Sequence, residues 1–293
     1  MILIDGKEIS NQIKSEIANE VRKLREDSGR SPHLAAILVG NDPASETYVF
    51  NKEKACKEVG MSSSIYKMPS DITEEKLIET IDFINKDEEI DGLIVQLPIP
   101  KHISVNKVIE SINPRKDVDG FHPVNIGKMV LGQASYLPAT PFGISMLLQR
   151  SNIVTEGKHC VIVGRSNIVG TPMSILMSRN HSLANATVTL CHSKTQHLTE
   201  ICSSADILIA AIGKCEMITA DYVKKGATVI DVGMHRVADA SKKSGFRLKG
   251  DVKFDEVAPL CEYITPVPGG VGPMTIVGLI MNTLKSFKHD IYE

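Results

Sequence analysis

The sequence lacks most features that announce a function at first sight. It carries almost no net charge: 33 Lys+Arg stand against 35 Asp+Glu, for a formal charge of -2. Such a balance exerts no general pull toward nucleic acid or acidic membrane, so neither is expected as a partner, although a local basic groove remains open. Its six cysteines (Cys56, Cys160, Cys191, Cys202, Cys215 and Cys261) include no C-x-x-C pair and mostly sit in or beside apolar runs. They read as reduced core thiols of a cytosolic protein, not as a disulfide framework or zinc site. Nine histidines supply neither H-E-x-x-H nor Cys/His ligand spacing, so no metal is expected. The opening MILIDGKEIS is too short in apolar residues for a signal peptide, and no apolar run approaches the ~18 residues of a membrane span. A soluble, unprocessed chain is expected. Repeats and low-complexity tracts are absent too, and SKKSG (241–245) reads as an exposed loop.

What the sequence does contain is an alternation of helix and strand signals. At 293 residues it exceeds the ~100–200 of one domain, which favours two. Ile9, Ile13, Ile17, Val21 and Leu24 form an apolar stripe along a first helix that Ser28-Gly29 ends. HLAAILVG (33–40) is a buried strand, and Asp42-Pro43 then opens a helix running to about Val59. An apolar strand near SSIYKM, a helix after Asp71 and a second buried strand at GLIVQL (92–97) continue the series. Such a series implies a parallel sheet covered by helices.

Between Asn113 and Thr140 the pattern loosens, which marks a domain boundary. A second series begins with a helix capped at Thr140-Pro141 and the strand HCVIVG (159–164). Strands at ATVTLC, ADILIAAIG and ATVIDVG follow, completing four buried strands suited to a nucleotide-binding sheet, and a last helix opens at Gly272-Pro273.

VIVGRSNIVGTPMSIL places Gly164 at the end of a buried strand, then a polar turn, then a helix capped by Thr171 with Pro172 in its first position. Backbone amides and the helix dipole there suit a pyrophosphate. The match to G-x-G-x-x-G is poor, because Ser166 and Val169 take the second and third glycine places and Gly170 comes one residue late. Spacing alone leaves open both a dinucleotide site and an ordinary α/β turn. NAD-specific sites usually carry an acidic residue on the next strand, ~20 residues on. TVTLCHSKT has none; His192, Ser193 and Lys194, with Arg165, suit the extra phosphate of NADP unless they are solvated surface charges.

Seven segments now converge: VGNDPASETYVFNKEKACKEVG, DGLIVQLPIP, KDVDGFHPVNIG, GRSNIVGTPM, TVTLCHSKT, GATVIDVG and ITPVPGGVGPMT. Over nearly its whole length the chain resembles the bifunctional methylenetetrahydrofolate dehydrogenase/cyclohydrolase family. The resemblance implies a two-domain α/β fold. A folate-binding catalytic domain would comprise residues 1–139 and 272–293, with the final helix packing back on it, and a Rossmann-type NADP domain residues 140–271. It further implies a folate cleft, tetrahydrofolate substrates, NADP as cofactor, a homodimer and a place in cytoplasmic one-carbon metabolism.

By the same resemblance, the catalytic and folate-binding residues are Tyr48, Lys52, Gln96 and Asp119, with Pro268, Gly269 and Gly270 lining the folate site. Cofactor contacts would come from Gly164, Arg165, Ser166, Ile168, Ser193 and Met234. Tyr48 and Lys52 fall one helical turn apart and so share a face. Without the motif, Lys52 would read as an exposed helix lysine with its stem on apolar surface. The family often has P-C-T-P where this chain has Pro138-Ala139-Thr140-Pro141, which reads as a packing change.

The expected chemistry has two steps. Hydride leaves the methylene carbon without a proton, so the enzyme mainly aligns cofactor and folate. Water then attacks the methenyl cation, and a base must take a proton. Lysine amines, with an ordinary pKa of ~10.4, need burial or a cationic neighbour to serve as that base. Lys52 is the candidate, oriented by Gln96 and positioned by a Tyr48 that stacks on the folate, while Asp119 accepts hydrogen bonds from the pteridine amino group. Rival readings are a monofunctional dehydrogenase, against which Lys52, Gln96 and Asp119 together argue, and a catalytically silent folate- or nucleotide-binding protein.

Overall fold

A computed structural model describes residues 1–242 and 245–292. In chain order the elements are β1 (Ile2–Leu3), α1 (Gly6–Ser28), β2 (His33–Val39), α2 (Pro43–Glu58), β3 (Ser62–Met68), α3 (Glu74–Lys86), β4 (Gly92–Val95), α4 (Val105–Ser111), α5 (Pro123–Val130) and α6 (Ala139–Arg150). There follow β5 (His159–Val163), α7 (Gly170–Ser178), β6 (Thr187–Cys191), α8 (Leu198–Ser203), β7 (Ile207–Ala210), β8 (Thr228–Asp231), β9 (His235–Ala238), β10 (Phe246–Lys249), α9 (Phe254–Val257), β11 (Tyr263–Ile264) and α10 (Val271–Phe287). Two compact units result, one of Asn11–Ala139 with Ile276–Glu293, the other of Met1–Ser10 with Thr140–Thr275.

The first unit is built on the parallel sheet β3-β2-β4. Ala35, Ile37, Val39, Leu93 and Val95 share one apolar cluster with Leu77, Ile81 and Ile84 of α3 and Val108 of α4. Each fully buried Leu or Ile there stabilises the fold by ~1.5–3 kcal/mol. Ile13, Ile17 and Val21 of the α1 stripe are buried as the periodicity predicts. The C-terminal part of α10 is anchored here, where the Asn282 amide donates to the carbonyls of Val118 (2.9 Å) and Leu137 (2.8 Å). Ser286 Oγ donates to those of Asp91 (2.7 Å) and Arg115 (3.0 Å). The final helix thus packs on the N-terminal domain, as expected.

The second unit holds a six-stranded parallel sheet in the order β1-β11-β8-β7-β5-β6, with β9 and β10 forming a separate antiparallel pair. The resemblance implies a folate domain that includes all of residues 1–139, yet Met1–Ser10 lies in this unit. Its cause is a pairing too short to show in sequence, Ile2 and Leu3 lying parallel to Tyr263 and Ile264. Of the four expected strands, β5, β7 and β8 are buried almost throughout. β6 is an edge strand and only Cys191 in it is fully buried.

Helix starts differ from expectation by a few residues. The cap of α3 is Thr73, whose Oγ1 accepts the Lys76 N–H at 3.3 Å. Thr140 lies inside α6, Thr171 inside α7, and α10 begins at Val271. The prolines at 141, 172 and 273 all fall in first turns, where a missing N–H leaves no bond unmade. Lys243 and Ser244 of the expected SKKSG loop lie outside the described residues.

Candidate functional site

Within the first unit the site grows from α2. Asp42 Oδ2 accepts the Ser45 N–H (2.8 Å) and its hydroxyl (2.9 Å), fixing the start of the helix one turn before Tyr48. Lys52, one turn further on, donates from Nζ to Gln96 Oε1 at 3.1 Å. Gln96 immediately follows β4, and its backbone N–H still bonds the Ile37 carbonyl (2.9 Å). Its side-chain amide donates to the Leu97 carbonyl at 2.6 Å, which turns Oε1 toward the amine. Asp119 is half-buried, and burial raises its carboxyl above the ordinary range while the nearby Lys52 charge pulls it back. Lys52, Gln96 and Asp119 are therefore brought together. Tyr48 is 43% exposed.

Sequence reasoning missed the carboxylate that builds this turn. Asp117 is buried and accepts the N–H groups of Phe121 (3.2 Å) and His122 (2.8 Å) and the Asn125 amide (2.8 Å). Burial pushes its carboxyl up to about 7, aided by the Asp119 charge and opposed by those donors. Gly120 adopts φ +73°, and a Cβ there would meet Pro138 N at 2.6 Å, so only glycine lets the turn close. Asn125 Oδ1 in turn accepts the Tyr292 hydroxyl at 2.7 Å. An Asp three residues before a glycine was a usable turn signal; Tyr292, so distant in sequence, offered none.

Within the second unit, the turn after β5 opens a pocket of about 250 Å³. Gly164, Arg165, Ser166, His192 and Ser193 line it, together with Ala211, Ile212, Lys214 and Met217. No carboxylate is among its lining residues, which fits a phosphate better than ribose hydroxyls at the end of β6. Gly164 has φ +121°, and a Cβ there would stand 2.7 Å from the Ala211 carbonyl carbon. α7 starts without any side-chain cap, as an anion-binding helix end does. Ser166 Oγ accepts the Val169 N–H (3.2 Å) and the Ser166 carbonyl accepts that of Thr171 (3.1 Å), holding the turn. Ile168 and Met234 are 43% and 41% exposed and do not line the pocket, nor does Lys194; Lys214, which does, went unforeseen.

Pro268, Gly269 and Gly270 belong to this second unit, not to the one holding Lys52. Their loop is fixed by the Lys7 N–H on the Gly269 carbonyl (2.9 Å), and Gly6 packs so closely that a Cβ would lie 2.7 Å from the Gly270 carbonyl carbon. All six cysteines are free thiols; Cys215 is exposed, against the expectation of core thiols, and the others are buried. Among the described residues no group of three or more His, Cys, Asp or Glu could hold a metal, and no helix is long and apolar enough to cross a membrane.

Known proteins resemble the chain over its full length. Residues 4–119 match the tetrahydrofolate dehydrogenase/cyclohydrolase catalytic domain, and residues 138–291 match the NAD(P)-binding domain of the same family. The chain is 60% identical to the bifunctional protein FolD of Cytophaga hutchinsonii over 98% of its own length and 99% of that protein. It is 58% identical to that of Bacteroides fragilis over the full length of both. Among solved structures, the bifunctional FolD dehydrogenase/cyclohydrolase of Campylobacter jejuni superposes with a TM-score of 0.93 at 45% identity, covering 99% of each chain. The Trypanosoma brucei enzyme, solved with NADP and an inhibitor, gives 0.93 at 37% identity over 100% of this chain and 99% of that one. This chain belongs to the tetrahydrofolate dehydrogenase/cyclohydrolase family.

Proposed function

We propose that the protein oxidises 5,10-methylenetetrahydrofolate to the 5,10-methenyl form with NADP and then hydrolyses that product to 10-formyltetrahydrofolate. The observation carrying the hydrolytic half is the Lys52 amine held 3.1 Å from Gln96 Oε1 beside the Asp119 carboxylate. NADP, when bound, supplies the hydride acceptor. Ser166 and the uncapped start of α7 would hold its pyrophosphate through backbone N–H groups, with Gly164 keeping the strand end free of a side chain, and Arg165, His192 and Ser193 would take the extra phosphate.

Lys52 accepts a proton from the attacking water, with Gln96 fixing the direction of its lone pair. Tyr48 stacks on the folate ring system, and Asp119 accepts the pteridine amino group. Folate binding we assign to the unit of Asn11–Ala139 with Ile276–Glu293, and the cofactor to Met1–Ser10 with Thr140–Thr275. The free thiols support a reducing cytoplasmic setting, and family resemblance supports a homodimer. An absorbance assay on methylenetetrahydrofolate tests the whole reading: methenyl product should form with NADP much faster than with NAD and then decay. Absence of NADP-dependent methenyl formation, or of its decay above the spontaneous rate, overturns it.

A further inference from the structure

Part of the cofactor pocket's wall is the segment after β7, from Ala211 to Met217. Within that segment a backbone bond runs from the Met217 N–H to the Lys214 carbonyl (3.4 Å), which leaves its first residues to be held from outside. Its first two free N–H groups, those of Ile212 and Gly213, both point to one carboxylate oxygen, Asp251 Oδ2, at 2.6 and 2.9 Å. Its far end is tied to the same short stretch of chain: the Glu216 N–H bonds the Gly250 carbonyl (3.0 Å) and the Ile218 N–H bonds the Asp251 carbonyl (2.9 Å).

Asp251 is fully buried and does not line the pocket. Its other oxygen, Oδ1, accepts His235 Nε2–H at 2.7 Å, and its own backbone N–H donates to Asp231 Oδ1 at 2.9 Å. Space for the carboxylate comes from Gly233, where a Cβ would stand 2.6 Å from Asp251 Cγ. A buried carboxylate is costly unless every lone pair finds a donor. Here the donors come from the segments after β7 and β8, so the pocket wall and the start of β9 converge on a single group.

Resting on the functional reading above, we propose that Asp251, oriented by His235, is a positioning residue for the dehydrogenase, setting the Ala211–Lys214 wall against which NADP binds. It touches neither cofactor nor folate. Its effect therefore falls on NADP affinity and leaves hydrolysis, which needs no cofactor and uses residues of the other unit, unchanged.

The test compares Asp251→Ala, Asp251→Asn and His235→Ala in the full-length chain, measuring NADP affinity by titration, methenyl hydrolysis and melting temperature. Asparagine keeps one carbonyl oxygen for the Ile212 and Gly213 N–H groups and turns its amide toward a His235 that accepts in its other tautomer. Asp251→Ala should weaken NADP on the order of tenfold to a hundredfold, the consequence of losing hydrogen bonds to a charged group, with hydrolysis within about twofold. Asp251→Asn should restore most of that affinity. Unaltered NADP affinity in a folded Asp251→Ala overturns the proposal, as does an equal fall in hydrolysis and affinity without a drop in melting temperature. Should Asp251→Ala fail to fold, His235→Ala decides: NADP weakened about threefold or more with hydrolysis intact supports the proposal, and unchanged affinity overturns it. A wild-type chain that neither binds nor reduces NADP is a different result, overturning the functional reading itself.

Discussion

Gly170 offers the sharpest test of the cofactor turn. It opens α7, and a Cβ built there would stand 2.5 Å from the Gly164 carbonyl carbon and 3.0 Å from Arg165 Cα. Non-bonded carbon atoms sit comfortably at ~3.5–4.0 Å, so the methyl of Gly170→Ala is short of room by roughly 1 Å. What it strikes is backbone, which cannot swing aside as a side chain would. The turn that carries Arg165 and Ser166 must therefore move relative to the helix start. Overpacking of this kind costs ~1–3 kcal/mol in stability, and a displacement of ~1 Å in a positioned site costs on the order of 100-fold in rate. We expect kcat/KM for NADP to fall by about that factor, with methenyl hydrolysis measured in the same preparation staying within about threefold. A Gly170→Ala protein that reduces NADP normally would refute the argument that this glycine sets the turn.

Lys52→Met should lower methenyl hydrolysis by ~10²–10⁴-fold, the usual range for loss of a general base, and leave NADP reduction measurable; unchanged hydrolysis removes Lys52 from the mechanism. Arg165→Ala should raise the KM for NADP ~10- to 100-fold, as expected for losing a charge-assisted contact, and that for NAD far less; equal losses defeat the phosphate assignment. Asp117 gives a pH test, because burial lifts its carboxyl from 3.8 to about 7 in the folded chain. The folded state then keeps a proton that the unfolded state has released, so stability falls as pH rises through that window and stays low above it, by up to ~4 kcal/mol. Urea midpoints should show Asp117→Asn gaining on wild type between pH 5 and pH 8, and a constant difference at the two pH values contradicts the burial argument.

The fold was legible wherever burial imposed a period. The α1 stripe, the apolar runs of β2, β4, β5, β7 and β8, and the Asp42-Pro43 start of α2 all follow from local rules that tertiary packing reinforces. Illegible were features that depend on a distant partner. Ile2 and Leu3 read as a stray apolar start because their strand exists only through Tyr263 and Ile264. Thr171 looked like a cap, yet its Oγ1 donates backward to the Arg165 carbonyl (3.3 Å), since the helix has already begun at Gly170.

The candidate site divides in the same way. Tyr48 and Lys52 share a helix face by spacing alone, whereas the meeting of Lys52 with Gln96 spans 44 residues and needed the motif. Asp117 and Asp251 went unread because a buried carboxylate that accepts backbone N–H groups has no sequence period. Its structural role shows in the donors that surround it, which only the fold assembles.

The two reactions make unlike demands, and the residues that would meet them fall into separable sets. On the proposed assignments, hydride transfer moves no proton and so would need the phosphate turn and the Ala211–Lys214 wall but no base. Hydrolysis moves a proton and no hydride, and so would need Lys52 and Gln96 but neither Arg165 nor Gly170. Tyr48 and Asp119, read as holding the folate itself, would serve both. Substitutions should therefore sort into three patterns: loss of NADP reduction alone, loss of hydrolysis alone, and a parallel loss of both with a raised KM for folate. Were Asp119→Ala to impair one reaction and spare the other, its assignment as a shared binding group would be wrong. Its raised, Lys52-coupled carboxyl would then belong to proton transfer, not to recognition.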